Sequence, residues 1–293
     1  MTPKGKLIVI GGAVDTGSFT ETNYQANASN LNFFEEGILK CILNESAKGV
    51  QSRIEIIPTA SNIPEEVGAE YIKAFSYLGA DNTGVLFISK REEANLPEVV
   101  ARLEQADAVV FTGGDQLRLT SILGGTDFHH MLLHKYRNTD FLLAGTSAGA
   151  AACSNNMIYQ GSAGEALLKG EVKITSGLGL INDVIIDTHF VQRGRIGRLF
   201  QAVVSNPMAL GIGLGEDTGL LIKRGTEMIA VGSGLVILVD GRHIRDTNIT
   251  DVPLGAPISI SNLVVHVMSK DDHYDLATHQ LVVHKDRVPS EQE

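Results

Sequence analysis

The chain has 293 residues, 43% hydrophobic and 20% charged, an ordinary soluble globular composition. Its formal net charge of −10 argues against a general nucleic-acid or anionic-membrane binder, and no apolar run approaches the ~18 residues that a membrane-spanning helix needs. Only two cysteines occur, Cys41 and Cys153, both in helix-like stretches; they read as buried thiols in a reducing, cytoplasmic setting rather than as a disulfide framework.

In chain order, the first residues lead straight into an apolar strand at 7–10, with no basic stretch and long apolar run ahead of it, so no signal peptide is expected. A Gly11-Gly12 turn follows. It lacks the full GxGxxG spacing and no helix starts at once after it, which makes it a weak dinucleotide signal. Helical patterns at 31–48, 64–78, 97–105 and 116–136, the last broken at Gly124-Gly125, alternate with strands at 53–57, 84–88, 108–111 and 141–144. The strand runs are nearly continuous hydrophobes, as they are when helices cover both faces of a parallel sheet. After a helix near 192–205 come strand-like pieces at 209–214, 219–222, 228–231, 235–239, 258–260, 263–267 and 281–284, read as hairpins extending one sheet edge. The expected fold class is α/β, a mostly parallel central sheet with a C-terminal antiparallel extension. One domain is expected over 1–284, with a polar, frayed tail at 285–293.

The strongest local motif is Gly145-Thr146-Ser147-Ala148-Gly149, between an apolar strand and an alanine-rich helix start. That context is the one a nucleophile elbow requires. A sharp strand-to-helix turn strains the central residue, so its neighbours must be small, and the Ser147 hydroxyl then stands at the carboxyl end of a strand. Upstream, Thr112-Gly113-Gly114-Asp115-Gln116 ends another buried strand. The Gly114 and Ala148 amides are candidate oxyanion donors and Gln116 a candidate substrate contact. A serine needs a base, and of nine histidines His189 stands apart, at the end of the apolar strand leading through Asp187 and Thr188. Asp187, Glu216 and Asp217 are all candidates to orient it. Asp187, two residues away, is expected to share a strand face with His189. Arg193, Arg195 and Arg198 fall within six residues after it and suit carboxylate recognition. The other histidines offer no metal-site spacing with a carboxylate partner, so no metal is expected.

These motifs together resemble the cyanophycinases and their relatives, which include the aspartyl dipeptidases. The resemblance runs over about 6–283 and rests on four motifs in order: Gly113-Gly114-Asp115-Gln116; the Gly145-Thr146-Ser147 elbow; Asp187-Thr188-His189-Phe190 with Arg193, Arg195 and Arg198; and Gly211-Ile-Gly-Leu-Gly215-Glu216-Asp217-Thr218. It implies a flavodoxin-like three-layer sandwich and a Ser147, His189, Glu216 triad in that chain order. It also implies a substrate cleft lined by Gln116, Asp187, Thr188, Arg193, Arg195 and Arg198. The implied reaction is hydrolysis of cyanophycin, a polyaspartate with arginine on each β-carboxyl, to β-aspartyl-arginine, with no cofactor and a homodimeric enzyme. Thr188 stands where the family usually has glutamine, and Leu214-Gly215 where it usually has Ile-Asp before the glutamate. Competing readings are an aspartyl dipeptidase using the same triad and a catalytically silent binding homologue. A glutamine amidotransferase would need cysteine at position 147.

Overall fold

The computed structural model describes residues 2–17 and 33–285; the first two residues of the helix expected at 31–48, and the expected tail from 286 onward, lie outside them. Five parallel strands build the centre: β1 (Lys6–Ile10), β2 (Ile54–Ile57), β3 (Thr83–Val85), β4 (Ala108–Phe111) and β5 (Leu142–Thr146). They lie in the order β1, β5, β4, β2, β3. Parallel strands need long crossovers, and helices supply them: α1 (Ile38–Glu45), α2 (Pro64–Tyr77), α3 (Pro97–Gln105), α4 (Gln116–Leu123) and α5 (Asp127–Asn138). The single helix expected over 116–136 breaks at Gly124-Gly125 as anticipated. Thr126 caps the second half by accepting from the His129 amide, and Asp115 caps the first by accepting from the Leu117 and Arg118 amides.

Residues alternate across the sheet. Ile8, Ile10, Ile56 and Val110 pack on α1 and α2 through Leu39, Ile42, Tyr71 and Phe75. Leu7, Val9, Val109, Phe111 and Leu143 pack on the other side with Leu103, Leu119 and Leu132 of α3 to α5. Both faces are therefore buried, which explains strands that read as unbroken apolar runs. Cys153 is buried, whereas Cys41, also expected to be buried, is half-buried; both are free thiols, and burial raises both, Cys41 to about 11.

The strands of the last third divide between the central sheet, a second four-stranded sheet and two two-stranded pairs. Strands β6 (Asn156–Gln160) and β7 (Lys173–Ser176) form a small hairpin, followed by β8 (Val184–Asp187), α7 (Ile196–Ser205), β9 (Leu210–Leu214), β10 (Thr218–Lys223), β11 (Glu227–Gly232), β12 (Val236–Asp240), β13 (Asp246–Thr247), β14 (Ile260–Ser261), β15 (Val264–Met268), β16 (His273–Asp275) and β17 (Gln280–Val282). A five-residue helix, α6 (Ala148–Ala152), follows β5. Strands β13 and β14 pair with each other. Strands β10, β11, β16 and β17 extend the central sheet beyond β1 with antiparallel pairing, giving nine strands, as the hairpin reading expects. Strands β9, β12 and β15 do not. They join β8 in a separate four-stranded sheet, with β8 and β9 parallel. The Gly211-Ile-Gly-Leu-Gly215 run shows why this sheet takes two covers. Ile212 and Leu214 pack into the large core. Gly211 and Gly213 leave room on the opposite face, where a Cβ would stand 2.7 Å from Val203 Cγ2 and 2.5 Å from the Phe190 ring. No helix among the described residues is long and apolar enough to cross a membrane.

Candidate active site

The carboxyl ends of β1, β4 and β5 meet at one crevice, the usual ligand position in open α/β sheets. Ser147 follows β5 with φ 51° and ψ −108°, a strained conformation for a residue with a side chain. The small neighbours are required by contact. A Cβ on Gly145 would lie 2.5 Å from the Gly149 carbonyl oxygen, and one on Gly149 would lie 2.6 Å from that of Phe111. Helix α6 is buried along its whole length, which alanine and glycine alone permit at this spacing.

The hydroxyl of Ser147 lies 3.0 Å from His189 Nε2, and His189 Nδ1 lies 2.9 Å from Glu216 Oε1. A carboxylate accepts, so Nδ1 carries the proton and Nε2 is left to accept from the serine hydroxyl. The imidazole comes from the end of β8 and the carboxylate from the end of β9, neighbours in the smaller sheet. Asp187 and His189 do not share a face, contrary to the expectation from spacing. Strand β8 ends at Asp187, and His189 turns out of the strand with φ 47°. Of the three carboxylates weighed, Glu216 is the one bonded to the imidazole. Its amide donates to Gln192 Oε1 at 3.3 Å, a contact that no sequence spacing announces. Asp217 faces elsewhere: it accepts from Ser233 Oγ at 2.8 Å and from the Asp15 amide, and burial raises its pKa above the ordinary range.

The remaining candidates fall into two groups. Asp187 and Thr188 are buried, and so is Arg198 at 7% exposure. Arg198 forks onto Asp187 through Nε at 2.8 Å and through Nη2, and donates from Nη1 to the Gly161 carbonyl. Arg195 donates to the Thr188 carbonyl at 2.7 Å and lies 3.4 Å from Asp187. Crowding by burial and by Arg198 lowers its pKa. A substrate guanidinium reaching Asp187 would have to displace Arg198. Helix α7 starts at Ile196, four residues later than expected. Arg193 therefore lies in the preceding turn, exposed, and Arg195 takes the N-cap position. Gln116 is half-buried and donates to the Ile158 carbonyl at 2.9 Å. Gly114 has φ +140° and rests against Ala60, where a Cβ would stand 2.0 Å from the carbonyl oxygen. Gly113, its neighbour, abuts the nucleophile: a Cβ there would be 3.4 Å from Ser147 Cβ. Gly114 is the glycine expected as oxyanion donor, and Gly113 is the one whose Cβ position approaches Ser147. His129 is held by the Gly125 amide and the Leu178 carbonyl, outside the site. No group of three His, Cys, Asp or Glu among the described residues has a metal-binding arrangement.

A strained serine, an imidazole and a carboxylate in series at the end of an open α/β sheet define the class, a serine hydrolase. Residues 27–230 match the model of peptidase family S51. The chain is 40% identical over 223 residues to the cyanophycinase of a Nostoc species, covering 76% of this chain and 75% of that one. It is 37% identical over 245 residues to that of Synechococcus elongatus, covering 84% and 76%. A crystal structure of a peptidase from an acI-B1 Actinobacterium superposes with a TM-score of 0.61 at 21% identity over 90% of this chain and 97% of the other, a likeness of fold. The chain belongs to peptidase family S51.

Proposed function

We propose that this protein is a serine-type peptidase that hydrolyses cyanophycin to β-aspartyl-arginine dipeptides through an acyl-enzyme. The observation that carries the reading is the unbroken hydrogen-bond series Ser147 Oγ, His189, Glu216, at 3.0 and 2.9 Å; the cyanophycinases of similar sequence supply the substrate.

In the proposed reaction His189 Nε2 takes the serine proton as Oγ attacks the scissile carbonyl, and Glu216 stabilises the imidazolium that results. The tetrahedral oxyanion accepts from backbone amides at the Gly113-Gly114 turn and at Ala148, the first residue of α6. The same imidazolium then protonates the leaving amine. Water, deprotonated in turn by His189, hydrolyses the ester and restores Ser147. Arg193 and Arg195, with Gln116, are proposed to meet the aspartate carboxylates. Asp187, Thr188 and Arg198 form the wall that sets the Arg195 guanidinium in place, because Asp187 and Arg198 already satisfy each other. No step requires a metal or an organic cofactor.

A single folded unit over 1–284, working as a cytoplasmic homodimer, completes the proposal; light scattering on the purified protein measures the subunit count. The deciding experiment is incubation with purified cyanophycin and mass analysis of the products. Release of β-aspartyl-arginine supports the reading. Cleavage of α-aspartyl dipeptides with the polymer left intact rejects it in favour of the dipeptidase activity.

A further inference from the structure

The Gly11-Gly12 turn after β1 has no role in the reaction as proposed, yet with Ile10 before it its backbone bonds to Ser147, to His189 and to the residue after Glu216. Three consecutive carbonyls at the end of β1 each accept one amide from a different arm of the site. Ile10 accepts from the Ser147 amide at 2.9 Å, Gly11 from the His189 amide at 2.8 Å, and Gly12 from the amide of Asp217, next to Glu216, at 2.9 Å. Gly11 also donates to the Thr218 carbonyl at 2.8 Å. Nucleophile, base and acid stand on separate elements of two different sheets, and this tripeptide is the piece of backbone to which all three are tied.

The two glycines are compelled by contact and by conformation. A Cβ on Gly11 would lie 1.9 Å from the Gly215 carbonyl oxygen. Gly12 has φ +120°, and a Cβ there would lie 2.3 Å from His189 Cε1 and 2.5 Å from Nε2. The bare Cα of Gly12 thus backs directly onto the imidazole, at the nitrogen that faces the serine. His189 is itself held at φ 47°, so its ring position depends on what surrounds it rather than on a relaxed backbone.

We infer that Gly12 is a positioning residue for catalysis: the absence of a side chain there sets where the His189 ring sits, and the Ile10-Gly11-Gly12 carbonyls hold the three arms of the triad in register. The inference rests on the triad reading above. It also explains a glycine pair that, as a nucleotide turn, has neither the spacing nor the helix it needs.

Gly12→Ala tests it. The variant is expected to lose turnover by on the order of 10²-fold or more, since about 1 Å of displacement at a reacting group has that effect. KM should be nearly unchanged, and the limb of the pH–rate profile that reports the base should move. Gly79→Ala, at a positive-φ glycine (φ +78°) with nothing within 4 Å of its Cβ position, is expected to keep full turnover. Because an alanine at position 12 also strains the backbone, melting is measured in a second background. In His189→Ala the methyl finds the space that the ring vacated, so Gly12→Ala should lower Tm far less there than in the native sequence. An equal loss of Tm in both backgrounds, or failure to fold in both, would overturn the assignment, as would a Gly12→Ala enzyme with native kcat and pH profile. Ser147→Ala separates the two claims. If that variant retains turnover, the triad reading fails. If it is inactive while Gly12→Ala is fully active, only the role of Gly12 fails.

Discussion

Two carboxylates flank His189, and the molecule treats them in opposite ways. Glu216 has a side chain 37% exposed and bonds the imidazole; Asp187 is 2% exposed and is bound by the guanidinium of Arg198. A half-exposed carboxylate keeps its charge at little cost and remains near enough to steady a transient imidazolium. A buried carboxylate keeps its charge only when paired and hydrogen-bonded, and Asp187 receives Arg198, Arg195 and the Thr188 amide. The first carboxylate is bonded to the imidazole and the second to an arginine of the framework, although the second lies closer to His189 in sequence.

The comparison breaks or sharpens under substitution. The largest effect expected is in Ser147→Ala, which should lower cyanophycin hydrolysis by on the order of 10³-fold or more with an unchanged melting curve, measured by product mass and by thermal melting. Glu216→Gln should lower kcat by about 10²- to 10⁴-fold and leave stability close to native, as expected of a carboxylate whose work is orientation. Arg198→Ala should do the reverse first. It strands a buried charge, and a loss of about 3–5 kcal/mol in urea unfolding is expected; native stability in that variant would remove the framework role. Arg195→Ala should raise KM by roughly tenfold with a smaller change in kcat, the pattern for a contact made equally in the ground and transition states. The smallest effect concerns pH. Burial raises the carboxyl of Asp217 above its ordinary 3.8. The folded protein then holds that proton more tightly than the unfolded chain, so the stability it contributes is complete below pH 3.8 and is lost as pH rises through the folded value. Asp217→Asn should remove this decline from a series of melts between acid and neutral pH.

Much of this was legible before any coordinates. The elbow could be read because its chemistry is local: strand, small residues and helix start are contiguous around Ser147. The central strands were legible because burial on both faces writes a continuous apolar run. The second sheet was not. Strand β9 reads like the hairpin strands that follow it, and nothing in Gly211-Ile-Gly-Leu-Gly215 says which sheet it joins, since pairing is chosen by partners far away in the chain. The face assignment of Asp187 and His189 failed for a related reason. Alternation holds only while a strand continues, and β8 stops at Asp187, two residues before His189. Residue types and their order determined, without further help, that a serine, a histidine and an acid were available at strand ends. Tertiary structure alone decided that the carboxylate bonded to the imidazole is Glu216, that Asp187 and Arg198 are taken by each other, and that a glycine at position 12 stands behind the imidazole. Contacts between groups separated by tens or hundreds of residues depend on how sheets and helices pack in three dimensions, and linear spacing carries no record of that.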